Sequence, residues 1–176
     1  MTKNPSIDDI STVLNLPKQI IEANHWAKGS KGNQIEFRSP LLDDGVVMQG
    51  VEFRISCSSN RPNERVSSLL TIETSIGPRC FARVDWNDRT HVNHGVICGD
   101  YQFQDIGPTH YHDPLLYDDH QVEPFEFIAA GIPIAREIEV LPDNFSGLMH
   151  ICAKLYNITN LSKVTEPQWQ IPTSFL

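Results

Sequence analysis

Along Val46–Cys57, apolar and polar side chains change places at every step: Val51, Phe53, Ile55 and Cys57 alternate with Glu52, Arg54 and Ser56. A period of two belongs to a pleated strand, whose successive side chains leave opposite faces. It predicts a sheet with one apolar, buried face and one polar face. Gln34–Ser39 repeats the pattern with Ile35 and Phe37. Val66–Thr74 and Arg79–Trp86 read as two further strands, joined by a hairpin-like Ser-Ile-Gly-Pro. In the second, the alternation predicts Cys80, Ala82 and Val84 on one face and Phe81, Arg83 and Asp85 on the other. Ile132–Val140 reads as an edge strand, because Pro133 has no N–H to donate to a ladder.

Helical spacing is confined to the ends. Ser6 and Asp9 form a capping-box-like start, and Ile7, Ile10, Val13, Leu14 and Ile21 follow a helical stripe that Pro17 divides into two short helices. Phe145, Leu148, Met149, Cys152 and Tyr156 share one face of a helix at about Asn144–Asn157, capped by Asp143 or Asn144. The expected class is α+β: a mainly antiparallel β-sheet with N-terminal short helices and a C-terminal amphipathic helix. One domain, 1–176, is expected, with a helical segment at 1–28, a β-rich body at 34–140, a closing helix at 143–158 and a docked tail at 159–176.

A hydrophobic content of 40 % over 176 residues suffices for a core. No run of eighteen apolar residues exists and the start lacks an apolar signal core, so no membrane association and a cytoplasmic location are expected. Cys57, Cys80, Cys98 and Cys152 form no close pair, which suits thiols in a reducing compartment. The net charge of −8 disfavours binding nucleic acid through a broad basic face. Between Thr90 and Ala153, Arg136 is the only Lys or Arg against ten acids, so the acidic residues of 100–126 are a candidate face for a basic protein partner.

Any chemistry is expected in Asp85–His120, which holds five of the seven histidines: His91, His94, His110, His112 and His120. In His110-Tyr111-His112 an extended chain puts both imidazoles on one face, the spacing with which many metal sites begin. Asp113 is taken as the third ligand of a divalent metal ion, with Asp118, Asp119, His120 or His91 as other choices. His91 and Asn93 share a face in the same way, while His94 points away. Neutral imidazoles also serve as acid and base without a metal, and Arg83, on a strand face with Asp85, would then stabilise a developing anion. The candidate catalytic residues are therefore Arg83, His91 and Asn93, and the candidate metal ligands His110, His112 and Asp113. Structural readings stand beside these: an Arg83–Asp85 strand ion pair, His91 and Asn93 as turn residues, and His25 and His150 as structural residues on helices.

Gly107, His110 and His112 resemble the first motif of the cupins, and Pro142, Gly147 and His150 faintly the second. No Glu follows His112 at three or four residues, and Pro142 lies too far from Gly147. More closely, Phe81-Ala82-Arg83-Val84-Asp85-Trp86, His91-x-Asn93 and Gly107-x-x-His110-x-His112 resemble a group of small uncharacterised bacterial proteins. Those share an Arg-x-Asp strand, a His-x-Asn turn and a His-x-His strand, and Ala153–Ile158 is similar to the end of their closing helix. The resemblance implies no activity, only that these polar residues act as a set. Three functions follow as expectations: a metal-binding hydrolase-type site, a non-catalytic interaction protein (an inhibitor, an antitoxin, or a phage or defence component) with an acidic binding face, and a metal-independent ribonuclease-like toxin.

Overall fold

The computed structural model of the chain describes residues 4–21, 25–29, 32–94, 100–117 and 124–170. Its centre is an antiparallel sheet, as the alternation predicts. Strands β3 (Gln34–Asp43), β4 (Val46–Ser58), β5 (Val66–Thr74) and β6 (Gly77–Trp86) form a meander. β9 (His110–His112) pairs with β6, and β10 (Ala135–Glu137) pairs with β9. On the far side β3 also carries the two short strands β1 (Gln19–Ile20) and β2 (Ala27–Lys28). A separate ribbon joins β7 (His91–Val92) to β8 (Asp105–Ile106). Three α-helices are described: α1 (Ile7–Asn15), α2 (Pro124–Ala129) and α3 (Phe145–Tyr156). The class is α+β.

The two faces of the sheet separate by chemistry. Phe37, Phe53, Ile55, Leu70, Val84, Trp86 and Tyr111 are buried, together with Phe145, Leu148, Met149, Cys152 and Tyr156 of α3. Tyr156 anchors the helix to the sheet. Its ring meets Phe53 and Tyr111 at 6.3 Å, and its hydroxyl donates to the carbonyl of Ser68 over 2.7 Å, so a large apolar ring is buried with its polar end satisfied. Asn144 caps α3 by accepting from the Gly147 N–H, and Asn157 closes it in the left-handed conformation. No helix among the described residues is long and apolar enough to cross a membrane.

Three local expectations are corrected. The helix at the N-terminus ends at Asn15, and Pro17 is followed by extended chain rather than by a second helix. Lys18 bridges to Ile158 there and donates to the carbonyls of Leu14 and Leu16 at the end of α1. His25 consequently precedes β2 and is not helical, whereas His150 is exposed on α3. The strand at 132–140 shortens to Ala135–Glu137, because Ile132 takes φ +56 and breaks the extended run. In β6 the register shifts opposite Leu70/Thr71, so Ala82 faces Leu70 while Cys80 faces Thr71. This bulge leaves Phe81 buried and moves Cys80 off the face of Ala82 and Val84.

Candidate metal centre

Antiparallel pairing brings two short sequence patterns together. Arg83 and Asp85 leave β6 on its polar face, and His110 and His112 leave β9 on the same side. The register sets Arg83 opposite His112 and Asp85 opposite His110. The β7–β8 ribbon then lays His91 over the pair, with ring centroids 4.7 Å from His112 and 5.3 Å from His110. His110 and His112 themselves stand 5.0 Å apart. One ring nitrogen from each of the three lies within 4.8 Å of the others. In a tetrahedral centre with metal–nitrogen bonds of about 2.0–2.1 Å, those nitrogens would sit about 3.3 Å apart. The rings need to close by up to about 1.5 Å.

Their hydrogen bonds fix which nitrogen carries the proton. A carbonyl oxygen only accepts, so a ring nitrogen in contact with one must carry the proton. His110 Nδ1 donates to Gly107 over 2.8 Å, His112 Nδ1 to Ile132 over 2.7 Å, and His91 Nε2 to Pro133 over 3.0 Å. In the neutral rings Nε2 of His110 and His112 and Nδ1 of His91 keep their lone pairs. Histidine ligands of metals are held in this way, with the outer N–H on a backbone carbonyl and the inner nitrogen bare.

Asp85 Oδ2 is the hub beneath the rings. It lies 2.8 Å from Arg83 Nε, 3.3 Å from His110 Nε2 and 3.4 Å from His112 Nε2, while Oδ1 accepts from Ser67 over 2.5 Å. Burial would raise its pKa, but the contacts with His110 and His112, the Arg83 guanidinium and the Ser67 hydroxyl hold it well below the usual carboxylate range. His112 Nε2 accepts from Arg83 Nη2 at 2.5 Å, so His112 has no proton to offer Asp85. We therefore assign the lowering chiefly to Arg83 and Ser67. Burial pushes the pKa of His112 down to about 4, against the nearby carboxylate, and lowers that of His91 too. A bare Nε2 facing a carboxylate is repulsive unless a proton or a cation stands between them.

Arg83, His91, His110 and His112 are thus brought together. Asn93 is buried nearby, but its amide holds β10, accepting from the N–H of Ala135 and donating to its carbonyl. Asp113 is not in the group. It accepts from Arg136 over 3.0 Å and from the N–H of Leu115, at the start of the 3₁₀ turn Pro114–Tyr117. One residue beyond His112, it falls on the other side of the extended chain. Asp118, Asp119 and His120 lie outside the described residues. Of the acidic segment 100–126, Asp100, Asp105 and Glu126 are exposed among the described residues. The sequence reading did not place Asp85 among the ligands or anticipate Ser67, although the Arg-x-Asp spacing was a usable signal.

The centre is closed on the sheet side, with His110, His112 and Asp85 buried, and opens past His91 and Arg83. A concavity of about 500 Å³ lies elsewhere on the polar face and is lined by Arg38, Glu52, Arg54, Thr71 and Cys80. Its volume says less about chemistry than the convergent lone pairs do. No family model matches the chain, and no curated protein or solved structure matches it.

Proposed function

We propose that the chain holds one divalent metal ion on His91, His110 and His112, with Asp85 as the balancing carboxylate, and uses it for hydrolytic chemistry. The observation that carries this reading is the arrangement of the three imidazoles, each giving one N–H to a backbone carbonyl, with one ring nitrogen from each within 4.8 Å of the others. Neutral nitrogen ligands with a buried carboxylate suit zinc, cobalt, nickel or manganese. Such an ion would supply an activated water at a free coordination position. His110 and His112 would fix it against the sheet, and His91 would close the centre from the ribbon.

Elemental analysis of gently purified protein, followed by titration of metal-stripped protein with Zn²⁺ and Co²⁺, tests the reading. One equivalent is expected in the native chain and none in His110→Ala/His112→Ala. Absence of metal on purification together with no affinity on addition would overturn it.

A second reading has its own support. Arg83 donating to His112, with Asp85 behind both, suits a metal-independent phosphodiester cleavage site in which an imidazole moves protons and the guanidinium holds phosphate. It expects RNA cleavage that survives EDTA and is lost in His110→Ala.

A further inference from the structure

Both ring nitrogens of His112 are accounted for. Nδ1 donates to Ile132, and Nε2, with its one lone pair, accepts from Arg83 Nη2. A metal ligated by His112 must use that same lone pair. The guanidinium and the metal cannot hold His112 together.

We infer, on the basis of the metal reading above, that Arg83 competes internally for the metal position and, once displaced, receives an oxyanionic group of the substrate. Arg83 has somewhere to go, since its side chain is 28 % exposed while those of Asp85 and His112 are 5 % and 1 % exposed. Asp85 tethers it, because the buried Nε lies 2.8 Å from Oδ2. Displacement from His112 would therefore leave a guanidinium held beside the metal with donors available. Its planar fork matches two oxygens of a carboxylate or phosphoryl group. Arg54, separated from Arg83 by Leu69 in the cross-strand row, is already paired with Glu36 and is not needed.

Charge leads to the same class of ligand. A divalent ion and Arg83 carry three positive charges against one negative charge on Asp85, with the imidazoles neutral. Uncompensated charge in a partly buried site is costly, and an anion that bridges metal and guanidinium relieves it. Metal and oxyanion binding should then be coupled, and the coupling must be reciprocal.

The test uses the full chain stripped of metal, Co²⁺ as the ion, and methylphosphonate and acetate as separate probes for phosphoryl and carboxylate groups. Arg83→Gln is expected to bind Co²⁺ at least about tenfold more tightly than the unaltered chain, because the competitor is gone. In the unaltered chain a saturating oxyanion should tighten Co²⁺ binding severalfold, and in Arg83→Gln that gain should vanish. The probe giving the larger gain identifies the substrate group. If Arg83→Gln fails to fold, coupling in the unaltered chain decides: its absence overturns the inference. Co²⁺ binding that is no tighter in Arg83→Gln overturns this inference but leaves the metal reading standing. Binding of Co²⁺ by neither protein overturns both.

Discussion

His112 Nδ1 donates over 2.7 Å to the carbonyl of Ile132, a buried β-branched residue held at φ +56. A β-branched side chain in the left-handed region is strained, at a cost of order 1–3 kcal/mol. The surroundings must over-determine it, and they do. Ile132 donates from its own N–H to Phe127, its side chain packs with Phe127 and Ile134, and the next carbonyl, of Pro133, accepts from His91. Two candidate metal ligands therefore hold the strained corner, and the corner fixes their tautomers.

Removing the His112 imidazole should accordingly cost stability as well as metal. His112→Ala leaves the Ile132 carbonyl without its partner and empties a buried site, for an expected loss of about 2–4 kcal/mol. Urea unfolding of the metal-stripped protein measures it. An unchanged midpoint would mean that this hydrogen bond does not support the corner.

Asn93 offers a cleaner test of the same support, because its amide satisfies both backbone groups of Ala135 without facing the metal position. Asn93→Asp keeps size but cannot donate to the Ala135 carbonyl when ionised. Both Asn93→Asp and Asn93→Ala are expected to destabilise by about 2–4 kcal/mol. A weaker metal affinity should follow from the misplaced β10. Full stability in Asn93→Asp would show that the amide does not hold β10 in place.

How much of this was legible depended on whether the signal was periodic. The alternation through Val51, Phe53, Ile55 and Cys57, and the stripe through Phe145, Leu148, Met149, Cys152 and Tyr156, place β4 and α3 without tertiary information. His110-x-His112 and Arg83-x-Asp85 likewise predict shared faces. A bulge has no periodic mark, so the side taken by Cys80 was misread. The segment after Pro17 is shaped by remote partners, Lys18 with Ile158 and Ile20 with Leu41, which no local pattern reports. Asp44 and Gly45 take φ +44 and +78 in a tight two-residue hairpin, and that Asp-Gly signal was available but unused. The backbone acceptors of the imidazoles, at Gly107, Ile132 and Pro133, belong to the fold and not to any residue type.

Lys18 gives a pH prediction away from the centre. It is buried at the end of α1, and burial lowers its pKa from 10.5 to about 8. Below about pH 8 both folded and unfolded states are protonated, and the cost of burying the charge is fully present. Between about 8 and 10.5 the unfolded chain holds the extra proton, so stability should rise with pH across that window. Lys18→Met should flatten the rise. An identical pH profile in the variant would show that Lys18 stays charged or exposed in the folded chain.

His91 should separate ligation from folding. It reaches the centre from the two-residue strand β7 and is half-buried, whereas His110 sits buried in the main sheet against Gly107 and Asp85. His91→Ala loses one partly exposed hydrogen bond to Pro133, so its expected stability cost is within about 1 kcal/mol. Its loss from the ligand set should weaken Co²⁺ binding by at least about a hundredfold, more than disturbing an outer partner of a ligand typically does. His110→Ala should lose both affinity and stability, since its removal empties a buried position and leaves the Gly107 carbonyl without its partner. Calorimetric titration and thermal unfolding on the two variants give the comparison. If His91→Ala binds Co²⁺ as tightly as the unaltered chain, the ribbon does not contribute a ligand, and the centre reduces to the His110–His112 pair with Asp85.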